Sequence, residues 1–248
     1  MFRTPMLAAV VLATAASTTF AQTAAAPAVA APPSTSMADC MQRADVTKAA
    51  TACKALLKEA GTDRAKLATA YTGLAAAAET AQDLPGALKQ LSWALAASPK
   101  DATLWSKRGD VRAALGQKIR SAADYSVALK YDPKNLSALL GRAGQYRLLG
   151  SLPNSIKDAD AALAIDPKSS VAMANRAYAA QRLGRDADAT KDADEAIKLD
   201  PKSALAYAAR GFAKMKTDKA AAIADLKKAV ELDPKLAAAA DAIKKIGG

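Results

Sequence analysis

Four aspartate-proline pairs, Asp132-Pro133, Asp166-Pro167, Asp200-Pro201 and Asp233-Pro234, follow Ser98-Pro99 and place prolines 34, 34, 34 and 33 residues apart. Small residues keep the same interval: Ala75, Gly109, Ala143, Ala177 and Gly211 form one column, and Ala94, Ala128, Ala162, Ala196 and Ala229 form another. A period of this length means one supersecondary unit laid down repeatedly, each burying its apolar face against the next. With the proline numbered as position 32, two apolar-periodic segments appear per unit, broken near position 15 and again at the proline, which cannot continue a helix. Each unit therefore reads as a helical hairpin, with small side chains where two helices approach closely. The expected fold class is all-α, a stack of antiparallel helix pairs. Abundant alanine and an aromatic content of 4% argue against a sheet-based core.

In the unit that starts at Ala102, Trp105 stands at position 4, Gly109 at 8, Ser121 at 20, Tyr125 at 24 and Ala128 at 27. This resembles the tetratricopeptide repeat, with a bulky residue at 4, small residues at 8, 20 and 27, an aromatic near 24 and proline at 32. The resemblance implies a right-handed α-solenoid whose first helices line a concave groove. Five units, 68–101, 102–135, 136–169, 170–203 and 204–236, place the array at residues 68–234. The last is one residue short near Thr217-Asp218, which predicts a tighter inner turn. Residues 235–248 read as a capping helix over the last apolar face.

Ahead of the array, residues 1–21 have the parts of a secretory signal: Arg3, the apolar run Met6 to Ala16, and the small-residue site Thr19-Phe20-Ala21. Such a segment is removed, so no transmembrane segment is expected after cleavage, and a periplasmic or secreted location follows. Residues 22–36 are uncharged and rich in alanine and proline, which reads as a flexible linker. Residues 37–67 read as a degenerate hairpin, its first helix over about 37–44 and its second over Val46 to Ala60. In an exported chain two lone cysteines pair, so Cys40 and Cys53, 13 positions apart, are expected to staple this hairpin. A metal-binding or catalytic thiol pair is the competing reading, but the close C-x-x-C spacing is missing. The cysteine pair before the first full repeat, in Asp39-Cys40 and Ala52-Cys53-Lys54, is similar to that of exported bacterial repeat proteins.

The chain contains no histidine, which removes histidine-based acid-base, triad and metal chemistry. With no glycine-rich phosphate loop and no serine-centred motif, neither enzyme activity nor a cofactor or metal is expected. The formal charge of +11 favours anionic partners without naming one. Lys100, Lys134, Lys168, Lys202 and Lys235 each follow a repeat-ending proline, and such a row reads first as a solvated rim.

Two columns depart from the tetratricopeptide pattern together. Position 7, commonly leucine, is Arg108, Arg142, Arg176 and Arg210, while position 23 is Asp124, Asp158, Asp192 and Asp225; the first unit has Leu74 and Gln90. These are expected to form Arg-Asp pairs joining the two helices of each unit, with an anion-binding arginine ladder as the alternative.

In the family geometry, positions 2, 5, 9, 12 and 13 face the groove. The early units offer Thr69, Thr72, Glu79, Thr103, Ser106, Asp110 and Ala113, mostly small and polar. The later units offer Leu140, Arg147, Tyr178, Gln181, Arg182, Leu205, Phe212, Met215 and Lys216, beside Gly144. Aromatic, methionine and arginine side chains make peptide-binding hot spots. The expectation is a scaffold or adaptor of the cell envelope that holds an acidic protein or peptide segment on Tyr178, Phe212 and Met215. Gln181 borders that floor, and Arg147, Arg182 and Lys216 select the charge. The opposing reading has Tyr178 and Phe212 packing between helices, and the alternative function is electrostatic binding of polyanions. A lysine-asparagine clamp of the kind some tetratricopeptide proteins use for chaperone tails is not evident: Asn175 stands at position 6, but Leu205 and Ala209 follow where basic residues would be wanted.

Overall fold

The computed structural model describes residues 35–42 and 44–247; the expected signal segment and residues 22–34 of the expected linker lie outside them. Among the described residues there are thirteen α-helices and no strand. They are α1 (Thr35–Cys40), α2 (Val46–Ala60), α3 (Arg64–Thr80), α4 (Leu84–Ala97), α5 (Ala102–Ala114), α6 (Lys118–Tyr131), α7 (Leu136–Leu148), α8 (Leu152–Ile165), α9 (Ser170–Arg182), α10 (Asp186–Leu199), α11 (Ala204–Lys214), α12 (Lys219–Leu232) and α13 (Ala237–Gly247). Each helix packs on the next, and odd-numbered helices also pack on one another, so that α5, α7, α9 and α11 form one inner row. This is an α-solenoid of helix pairs. The step from α3 to α5 is the loosest in the inner row.

The repeated turn chemistry explains the regular interval. Oδ1 of Asp132, Asp166, Asp200 and Asp233 accepts the backbone N–H of the lysine two residues on, at 3.0 Å in each case. The proline between them forbids another helical turn, and Asp101, Asn135 or Ser169 then caps the following helix by accepting its free amide hydrogens. Inside a pair the chain reverses through Gly116, Gly150 and Gly184, all at positive φ between 72° and 77°. Gln82 holds the same place at φ 58°, where a Cβ is crowded.

The small columns mark the closest helix approaches. Ala94, Ala128, Ala162, Ala196 and Ala229 are fully buried. Ser121 and Ser155, also fully buried, tie the second helix to the first by donating to the carbonyls of Gly109 and Ala143 at 2.8 and 2.9 Å. The Tyr125 ring lies between Gly109 and Gly141, where a Cβ on either would collide with it, and its hydroxyl donates to Asp110 at 2.7 Å.

Four boundaries differ from the sequence expectation. Thr35 and Ser36, placed in the linker, belong to α1, which ends at Cys40 rather than near 44. That end is fixed by the Cys40–Cys53 disulfide and by Asp45, whose extended backbone caps α2 through the Lys48 N–H. The first repeat helix starts at Arg64, not 68, because Asp63 caps it, accepting from Ala65 and Lys66. Arg64 then donates to the carbonyls of Ala96 and Ala97 at the end of α4, at 3.0 and 3.1 Å. The missing residue of the last unit shortens α11 to 11 residues instead of tightening the turn, because no glycine there takes the left-handed conformation that reverses the chain sharply elsewhere.

Gln82→Gly is expected to raise unfolding free energy by about 1 kcal/mol, read from urea melts, because it relieves a left-handed non-glycine residue. Converting Cys40 and Cys53 to alanine removes a cross-link worth about 3 kcal/mol in the chain-entropy model. Hydrogen exchange should accelerate in α1 and α2, while amides of α7 to α12 keep their protection.

Candidate peptide-binding groove

The arginine column sits at the junction of three helices. Nε and Nη2 of Arg108 donate to the two carboxylate oxygens of Asp124 at 2.9 and 2.8 Å, a fork-to-fork geometry. Arg142 meets Asp158 at 2.7 and 2.8 Å, Arg176 meets Asp192 at 2.7 and 2.8 Å, and Arg210 meets Asp225 at 2.8 and 2.7 Å. Asp124, Asp158 and Asp225 are buried, the first two at 2% and 3% exposure, and Asp192 is half-buried. The remaining nitrogen, Nη1, crosses the unit boundary: Arg142 reaches Ser126, Arg176 reaches Asp160 and Arg210 reaches Asp194. These contacts raise the guanidinium pKa of Arg142, Arg176 and Arg210, with the hydrogen bond to the aspartate of the same unit as the first cause. Every guanidinium of the column is thus paired with a carboxylate of its own unit, and the arginine-ladder alternative is left with no unpaired arginine in it.

Arg147 stands apart from that column. It projects from the last turn of α7, stacks over the Tyr178 ring of α9 with its guanidinium carbon 5.2 Å from the centroid, and donates from Nε to Asn175 Oδ1 at 3.0 Å. Burial pushes its pKa down, opposed by Tyr178 and by no carboxylate among the described residues. Tyr178 in turn meets Phe212 of α11 edge to face, with ring centroids 6.1 Å apart. The structure thus brings Arg147, Tyr178 and Phe212 into one line across three inner helices.

The other expected residues distribute unevenly. Gln181 is half-buried on α9, whereas Arg182 and Lys216 are exposed. Phe212 and Met215 are half-buried against a cluster built by Leu226, Ala239 and Ala242 with Ile243 and Ile246 of α13. Met215 accordingly serves the junction with the capping helix as well as the edge of the row. Ser106, assigned to the groove surface, is 4% exposed and bonds Ser137 of the next unit at 3.3 Å, so it is interhelical packing.

A second depression escaped the sequence reading. Where the inner row is loosest, a cavity of about 410 Å³ is lined by Met41, Thr72, Gly73, Glu79, Lys107 and Asp110, with Cys40 at its wall. Partial burial raises the Glu79 and Asp110 pKa values, against the pull of Lys107. Thr72, Glu79 and Asp110 were legible as groove positions. The wall at Cys40 and Met41 was not, because the short first helix of the degenerate hairpin follows no repeat register that could place them.

A sequence model described as the tetratricopeptide repeat matches residues 213–236, the end of α11 and the whole of α12. Solved structures similar to this chain include YrrB, described as a TPR protein with an unusual peptide-binding site, at 19% identity and TM-score 0.61 over 79% of this chain and 99% of that one. Another is MamA from Desulfovibrio magneticus, at 19% identity and TM-score 0.59 over 68% and 97%. A tetratricopeptide repeat protein from Parabacteroides merdae aligns at 20% identity and TM-score 0.60 over 86% and 96%. No curated protein matches the chain at a significant level. At these identities the likeness establishes the fold, which is that of the tetratricopeptide-repeat solenoids.

Asp158→Ala is expected to cost about 3 kcal/mol in urea unfolding, because it strands the Arg142 guanidinium. Replacing both partners by leucine, the residue common at position 7, restores most of that loss.

Proposed function

We propose that this chain is a non-catalytic protein-interaction scaffold that holds a peptide segment in the later half of its inner row. The observation that carries this reading is Arg147, a half-buried guanidinium lacking a carboxylate among the described residues and resting on an aromatic pair. A carboxylate on the incoming segment would supply the partner that the fold leaves out, and Tyr178 with Phe212 would supply apolar area beneath it. Asn175 already holds the guanidinium in place, so its orientation is set before binding. The similarity to YrrB, itself described as having a peptide-binding site, supports the same reading. The partner is an acidic segment or a free C-terminal carboxylate. The N-terminal sequence, with its charged start and apolar run, supports export and a working place in the cell envelope.

A displayed peptide library with free C-termini tests this directly. The intact chain is expected to enrich acidic sequences, and Arg147→Gln to weaken the enriched peptides about tenfold, the worth of one charge-assisted hydrogen bond. Tyr178→Ala with Phe212→Ala should remove the rest while the far-ultraviolet helical signal persists. Binding that is indifferent to both variants and collapses with added salt would replace this reading by loose polyanion attraction to exposed lysines such as Lys134 and Lys168.

A further inference from the structure

The arginine column is completed in two ways along the row, and the difference leaves one junction unbalanced. Arg176 and Arg210 each find a carboxylate on the preceding unit, Asp160 and Asp194, at 2.7 Å. At the junction of the 102–135 and 136–169 units the equivalent residue is Ser126, whose neutral Oγ accepts from Arg142 Nη1 at 3.0 Å. Lys130 and Lys157 line the same crevice, which has a volume of about 400 Å³, and Asp158 is the one carboxylate among its lining residues. Arg142 and two lysines therefore face a single aspartate, an excess of two positive charges. The next junction has Arg176 and, in register with Lys157, Lys191 against Asp160 and Asp192, and carries no such excess. The junction before it also has a serine, Ser92, but Ala96 and Ala123 stand where the lysines would be.

We infer that this crevice binds a phosphate dianion, either free or as the terminal group of a monoester. Ser126 supplies no charge where the following junction supplies Asp160, and the crevice it lines is open beside Arg142, Lys130 and Lys157. A phosphate carries about two negative charges near neutral pH and several acceptor oxygens, which matches one guanidinium N–H edge and two ammonium groups. Leu129 and Pro133 form an apolar side to the crevice, while Lys130 and Lys157 stand at its exposed mouth. Asp158 stays bonded to Arg142 through Nε and Nη2, so the ligand would complete the arginine's contacts without breaking any that exist. The inference is independent of the peptide groove, none of whose proposed residues lines this crevice.

Calorimetry of the full chain with inorganic phosphate, against chloride at matched ionic strength, tests the site, and the other repeats supply the variants. Ser126→Asp copies the next junction and is expected to weaken phosphate binding at least about tenfold, since an internal carboxylate then occupies the space. Lys130→Ala with Lys157→Ala should weaken it similarly. Asp160→Ser with Ala164→Lys carries the full set into the following junction, at an exposed helix position, and should raise the stoichiometry from one phosphate to two. Glycerol phosphate bound as well as inorganic phosphate assigns a carried phosphoryl group, and tighter binding of the inorganic ion assigns the free one. Equal phosphate heats in the starting protein and in Ser126→Asp, or none beyond chloride, would overturn the inference.

Discussion

The structure depends on a guanidinium held at three points. Two of its nitrogens close on an aspartate of the same unit, and the third crosses to the second helix of the unit before. A leucine at that position would fill the same space with no preferred direction. The arginine fork instead fixes the angle between paired helices and the offset between successive pairs in a single group of bonds. The cost of burying the charge is offset only where the guanidinium meets a carboxylate, which explains why arginine and aspartate occur in the same units and lapse together in the first. There Leu74 packs on the cysteine cluster, and Gln90 has a buried oxygen with no partner.

Much of this was legible because a repeat states its rules several times. The aspartate-proline spacing, the alanine columns and the arginine and aspartate registers each recur, and their positions follow from helix geometry alone. What was not legible lies where the repetition fails. The start of α3 is decided by Asp63, a cap outside the frame, and the residue missing from the last unit is taken from α11 because no glycine marks that turn. Ser106 looked like groove surface by its position but is consumed by Ser137, a contact set by the spacing between units that no single unit encodes.

The inner row is accordingly not one uniform binding face. Its early part opens into a cavity bordered by Glu79, Lys107 and Asp110, with Tyr125 bonded to the last of these. Its later part is closed by ring contacts from Arg147 through Tyr178 to Phe212. The same backbone geometry thus presents acidic character at one end and a cation on an aromatic floor at the other. Small residues set how near the helices lie, and a few groove positions set what each stretch can recognise.

The Cys40–Cys53 bond lies next to the one unit that lacks the arginine lock. Gly73 of α3 is pressed against both sulfur atoms with no room for a methyl group, so the covalent link also seats the first repeat on the hairpin. Cohesion along the row consequently changes in kind from one end to the other. The beginning answers to the thiol-disulfide balance of its surroundings, whereas the remainder is indifferent to reductants and answers to whatever competes for its carboxylates. Two parts of one continuous stack can therefore be loosened separately, by different solutes.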